Sequence, residues 1–439
     1  MVSVSNGSES QRNRKVLLGI GFWVQGLRCF PLMGVSFFLK DGLRVDPSTL
    51  QILQNSTNLP MVAKPFYGIL SDSFYIFGQH RVPYIALGVF LQVVSWMTIA
   101  LFAKSGISFL SITIYLLLGN LGASIVEVAN DAIVAESGKQ PTSSKNSKPS
   151  SSGELQSFVW MASSIGGVLG NLIGGIAIDQ FSTQAMFLMY GILLSLQFLI
   201  TLFIRESSLD LPKSPPHVGF RKQISELLVA LRKPEICYSI LWFAMSYAVI
   251  PALTGTMFFY QTQHLEIESS LLGMSKVFGQ AAMLLWGVIY NRHLKLIPPR
   301  KLIVAVQVSM AMFMISDALF VKGVYRIIGI PDTIYVVFFS GLLEVLYFFK
   351  ILPFNVLMAH LCPPGCEGSV MAFVMSAIAL AFMVSGYLGV ALASYVGVTG
   401  NDFSGLPRGL LIQAACTLLP LFWSSCIPGD VKSKSKKEN

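Results

Sequence analysis

Apolar runs of roughly 20 residues, the length that a ~30 Å hydrocarbon layer requires, follow one another along the whole chain with short polar stretches between them. The pattern predicts twelve helices, one to twelve, at about 16–39, 50–70, 82–103, 107–135, 154–178, 184–204, 236–259, 270–290, 301–320, 333–358, 367–391 and 408–427. The tenth is the least regular, because Glu344, Lys350 and Pro353 interrupt it. Two stretches read as loops. One is 137–153, rich in Ser and Lys; the other is 205–235, with six basic residues and Pro212, Pro215 and Pro216. The second loop leaves six helices on either side. The fold class expected is therefore an all-α integral membrane protein of twelve transmembrane helices in a 6+6 arrangement of two bundles. Its expected parts are a tail (1–15), a six-helix bundle (16–204), a central loop (205–235), a second six-helix bundle (236–427) and a basic tail (428–439). Gly68-x-x-x-Asp72 after helix two has an echo in Gly287-x-x-x-Asn291 after helix eight, at the same point of each half.

Composition sharpens this picture. Hydrophobic residues make up 53% of the 439, and charged ones only 12%, about half the share in a soluble domain. Little chain remains for an extramembrane catalytic domain. The net charge of +9 lies in separated loops and forms no basic face, which excludes nucleic acid as a partner. Of the 31 Lys and Arg residues, 21 fall in the tails and in the loops that share a side with them, against 6 on the other side. Both termini are expected on the cytoplasmic-type side of a bilayer; plasma membrane, vacuole and plastid envelope all fit. The six cysteines lie in or beside apolar segments and form no secreted disulfide framework. His360, Cys362 and Cys366 lack a second ligand pair. No metal and no cofactor is expected. No P-loop, G-x-S-x-G or H-E-x-x-H motif occurs, which argues against an enzyme.

Chemistry is confined to a few ionisable residues inside the apolar helices: Arg28, Lys64, Lys276 and Lys350, and Glu127, Asp131, Asp317 and Glu344. Such groups are costly in a membrane unless they pair or face a wet cavity. In helix four, Asn120, Ser124, Glu127 and Asp131 share one face at i, i+4, i+7 and i+11. Helix one carries Gln25, Arg28 and Ser36 on one face, and helix ten gathers Ser340, Glu344, Tyr347, Lys350 and Asn355. The stripes either line a cavity or form a buried structural network. Lined by the four cations, a cavity would take an anionic solute, and Glu127, Asp131 or Glu344 could carry a coupling proton. Asp317 reads as a local packing group. Gly166, Gly170 and Gly174 on helix five allow close helix packing.

Lys64-Pro65-Phe66-Tyr67-Gly68-Ile69-Leu70-Ser71-Asp72, followed by Gly78, Arg81 and Tyr84, resembles the signature between helices two and three of the folate–biopterin transporter family, within the major facilitator superfamily. Gln25–Arg28, Asn130–Glu136, Gly153–Ser157 and Cys362–Ser369 match in family order. The loops and length resemble the plant branch. The resemblance implies a monomeric symporter that carries folates or pterins with protons by alternating access, with a carrier for a different organic anion or small solute as the alternative. It assigns Arg28 and Lys64 to substrate anion binding or charge balance and Asp131 to coupling or pterin recognition, with Glu127 beside it. Lys276, Glu344, Tyr347 and Lys350 complete the expected substrate site, and Gly68, Asp72, Arg81 and Glu154 the inner gate. Two departures stand out. His80 occupies a position usually basic, which is expected to weaken the gate at neutral pH. Helix eleven is apolar at Met375–Leu380, where relatives carry a polar residue.

Overall fold

Backbone N–H and C=O groups in hydrocarbon must be satisfied within the segment, so a chain this apolar is obliged to be helical. The computed structural model describes residues 2–104, 106–138, 151–209, 225, 228–229, 231–294, 296–361 and 367–428, without the side chains of 2–9, 138, 151–154, 359–360 and 367–369. Among these residues there is no strand, only an isolated bridge between Ile76 and Gln79. Ten segments are long and apolar enough to cross a bilayer: Ser10–Gly42, Val82–Phe102, Phe109–Ser137, Leu155–Gln180, Thr183–Phe203, Ser269–Leu294, Pro299–Val321, Asp332–Met358, Val370–Tyr395 and Leu406–Cys426. They are helices one, three to six and eight to twelve. Helix one starts earlier than its pattern suggests, at Val2.

The other two helices are present but broken. Helix two is Pro47–Thr57, Leu59–Val62 and Lys64–Ser73, and helix seven is Pro234–Ala248 and Thr254–Phe259, continued by a π turn at Tyr260–His264. Pro60, Pro65 and Pro251 supply the breaks, since proline has no N–H to donate. The groups freed near Pro251 are recovered by the buried Gln51. Its Nε2 donates to Ala252 O (2.7 Å) and Gly386 O (2.6 Å), and its Oε1 accepts from Gly255 N (2.8 Å). Ser385 donates to Ile250 O and accepts at its own carbonyl from Ala252 N. Helix ten is interrupted too, by a single-residue step at Lys350 between Gly341–Phe349 and Ile351–Leu361; the Phe349 carbonyl that Pro353 leaves without a donor accepts from Trp286 Nε1 at 3.1 Å.

Contacts divide the chain into two units, Met1–Phe38 with Ala63–Gln223, and Leu39–Val62 with Ile224–Asn439. The first packs helix one on five, three on four and three on six; the second packs seven on eleven, eight on ten and nine on twelve. One–five and three–six correspond to seven–eleven and nine–twelve, six helices later, the internal repetition of a 6+6 chain. The glycines of helix five do what their spacing implies. A Cβ at Gly166 would collide with the Trp23 carbonyl, and one at Gly26 with that of Ser163, so helices one and five meet backbone to backbone. The second unit is held by an aromatic core in which Phe243 stacks on Phe354 with ring centres 3.7 Å apart.

Candidate functional site

In the first unit the two cations sit where helices are interrupted. Arg28 occupies the step between Val2–Leu27 and Cys29–Phe37, and Lys64 begins the last piece of helix two. Both reach Glu127, which is 8% exposed: Arg28 Nη1 donates to Oε1 at 3.2 Å and Lys64 Nζ to Oε2 at 2.5 Å. Arg28 Nη2 also donates to Asn120 Oδ1. The polar stripe of helix four thus meets the cation of helix one, and the cluster keeps a net charge of +1 inside an apolar unit. Asp131, one turn beyond Glu127, is exposed. It stays outside these hydrogen bonds, though within electrostatic reach of Glu127 and Lys64.

The residues expected in the second unit separate into distinct sets. Lys276 Nζ pairs with Glu344 Oε1 at 3.2 Å, with side chains 42% and 56% exposed. Lys350 is 0% exposed. Its Nζ donates to Gln307 Oε1 (2.6 Å), Ser246 Oγ (3.0 Å) and Ser246 O (3.4 Å), and lies 3.9 Å from the centre of the Tyr247 ring. Three acceptors and a ring face surround it, and among the described residues no carboxylate pairs with it. Tyr347 accepts at its carbonyl from Tyr247 Oη (2.7 Å) and at its hydroxyl from Gln413 Nε2 (3.3 Å). Gln307 was not legible as a partner: it is one glutamine in an apolar helix, and its own polarity was the only signal.

A third cluster closes the loop side of the first unit. Arg81 reaches Asp72 Oδ1 and Glu136 Oε1, both at 2.5 Å, and Ser71 Oγ at 2.6 Å. Glu206, just past helix six, accepts from the backbone N–H of His80, Arg81 and Val82 at the start of helix three. It also takes the His80 Nδ1 at 2.7 Å, while His80 Nε2 lies 3.6 Å from Glu136. The neighbouring carboxylates of Glu136 and Glu206 raise the His80 pKa to about 9 against the opposing effect of burial. Burial works against Glu206 as well, but the bonds from His80 and the backbone hold it at about 2. The expectation for His80 is therefore corrected: two carboxylates keep it cationic at neutral pH, and it serves as the second basic residue. Glu206, four residues beyond a helix end, carried no motif to reveal it. Gly68 is not forced by crowding, since a Cβ there would meet only Val128 Cγ1 at 3.5 Å. The side chain of Glu154, and the Cys362–Cys366 stretch, lie outside the described residues.

Compared with known proteins, the sequence profile of the BT1 family matches residues 25–439. The chain belongs to the BT1 family. Among similar proteins, "Probable folate-biopterin transporter 7" of Arabidopsis thaliana is 64% identical over 441 residues, 99% of each chain. "Probable folate-biopterin transporter 8, chloroplastic", from the same plant, is 44% identical across 94% of this chain and 75% of its own length. The crystal structure of a D-xylose–proton symporter superposes with a TM-score of 0.69 over 96% of this chain and 98% of that one, at 15% identity, a likeness of fold alone. This BT1 member is thus a multi-pass membrane transporter that shares the fold of the D-xylose–proton symporter, and not an enzyme.

Proposed function

We propose that the chain is a secondary active transporter that moves folates or pterins by alternating access, coupled to protons, and works as a monomer with both termini on the cytoplasmic side. The observation that carries this reading is the Arg28–Glu127–Lys64 cluster, in which two cations share one carboxylate. A folate ends in a glutamate with carboxylates of its own. Such a group competes with Glu127 for the Arg28 fork and the Lys64 ammonium. Glu127, once released, or the exposed Asp131 then takes the coupling proton or accepts the paired N–H donors of a pterin ring. Lys276, Glu344, Tyr347 and Lys350 are the proposed contacts in the second unit. Gly68, Asp72, Arg81 and Glu154 are proposed as the gate, tightened by His80 and Glu206. The names of the relatives agree with this substrate class.

Uptake of labelled folic acid into proteoliposomes, with and without an inward proton gradient, tests the reading. Gradient-stimulated uptake is expected, abolished in Arg28→Ala and no longer gradient-dependent in Asp131→Asn. Well-folded protein that moves no folic acid under either condition would refute it and favour another organic anion.

A further inference from the structure

The most enclosed acid of the second unit takes no part in the site above. Asp317, near the end of Pro299–Val321, is 4% exposed, and among the described residues no Lys or Arg pairs with it. Its polar neighbours are hydroxyls. Tyr335 Oη donates to Asp317 Oδ1 at 3.0 Å. Ser340 Oγ lies close enough to interact with the carboxyl, is shielded from solvent and has no formed hydrogen bond. An ionised carboxylate in a membrane interior is costly without a cation, and taking up a proton removes that cost. Ser340 can serve either charge state, donating to the carboxylate or accepting from the acid.

The hydroxyls continue away from Asp317. Tyr335 Oη is 2.7 Å from Ser316 Oγ, which is 2.8 Å from Tyr325 Oη, and Tyr325 is only half-buried. Each hydroxyl has one proton to give, so with Tyr335 donating to Asp317 the whole chain donates in one direction. The Tyr335 ring is clamped between Phe320 and Phe339, stacked at 4.1 and 5.1 Å, which fixes its hydroxyl in line.

We propose that Asp317 is a proton-binding site of the second unit, loaded and unloaded through the hydroxyl chain Tyr335–Ser316–Tyr325. On loading, in one concerted shift, Tyr335 passes its proton to the carboxylate and is resupplied by Ser316, which is resupplied by Tyr325, which takes one from a hydronium ion of the solvent and leaves neutral water. Unloading reverses each transfer. No charged side chain on the surrounding elements competes. Lys322 on the same helix and Arg408 on helix twelve are exposed, and Arg326 is held by Asp332 at 2.8 Å. From helix seven the ring of Tyr260, a neutral phenol, meets Phe320; on helix ten Tyr347 is a second phenol, and Glu344 and Lys350 have the partners given above. The site rests on the proton-coupled reading only for its part in transport; its occupancy by a proton does not.

Infrared difference spectra of the purified full-length protein, recorded between about pH 5 and pH 8, read that occupancy without any substrate. A protonated-carboxyl stretching band is expected to grow as pH falls, to vanish in Asp317→Asn and to persist in Asp131→Asn. Tyr335→Phe, which removes one hydroxyl and no volume from the stack, should shift its frequency or midpoint while the amide bands stay as in wild type. A titrating band that survives in Asp317→Asn, or no band titrating over this range, would overturn the proposal. In proteoliposomes, Asp317→Asn should keep exchange of folic acid across the membrane and lose its stimulation by a proton gradient. Absence of all folic acid transport in wild type would count against the substrate reading and leave the infrared result standing.

Discussion

His80 gives a sharp quantitative test of the loop-side cluster. Its pKa of about 9, against 6.5 for an unperturbed imidazole, is worth about 3 kcal/mol of stability to the form in which it is protonated and bound by Glu206 and Glu136. Because the folded value lies above the unfolded one, this contribution is complete below pH ~6.5 and is lost as the pH rises through about 9. His80→Asn keeps an amide near the Nδ1 position and removes the charge. In detergent-purified protein followed by tryptophan fluorescence at one fixed heating rate, the variant should melt below wild type at pH 6. For a chain of this length 1 kcal/mol corresponds to about 1 °C, so the gap should be about 3 °C. The two curves should converge above about pH 9, where wild type has also lost the charge. A gap of the same size from pH 6 to pH 10 would show that His80 acts through packing alone and would refute the charge argument.

Two further outcomes follow from the packing described. Glu127→Gln leaves Arg28 and Lys64 without their shared counter-charge, a change expected to destabilise by about 3–5 kcal/mol. A melting temperature equal to that of wild type would mean that both cations find solvent or other partners. Gly166→Val forces a side chain into the Trp23 backbone and should abolish folded protein on size exclusion, whereas Gly68→Ala, with only ordinary contact to Val128 ahead of it, should change stability by less than about 1 kcal/mol. Similar behaviour of the two glycine variants would show that the contact between helices one and five yields.

Helix existence was legible because the membrane imposes a length and an apolar composition on each span, and these are local properties. Glu127 and Asn120 could be chosen from period alone, since seven residues bring them to one face of helix four. That Arg28 reaches both and Lys64 reaches Glu127 is a tertiary fact, with Arg28 and Lys64 lying 99 and 63 positions from Glu127 in sequence. The prolines show the same divide. Pro251 opens helix seven between Ala248 and Thr254, whereas Pro353 goes with only a single-residue step at Lys350 in helix ten, although both lie within apolar runs. The difference is in what stands nearby: Gln51 and Ser385 satisfy an opened backbone in one case, and the Trp286 indole satisfies one carbonyl in the other. Lys350 was found by its charge, whereas its acceptor Gln307, 43 residues away, had nothing local to single it out. Asp317 looked like packing because sequence could not show that a tyrosine 18 residues on would reach it with a hydroxyl.

The contact of Gly26 and Gly166 has a mechanical consequence for the residue two places along. Where two helices touch through main chain, no rotamers lie between them, so the joint has nothing to reshuffle when load is applied and no slack to take up. Arg28 projects from the helix immediately beyond that joint. The placing of its Cα is therefore set by the course of the backbone, while Glu127 and Asn120 aim its guanidinium, and changes in what it grips, Glu127 or an arriving anion, need not disturb the grip's origin.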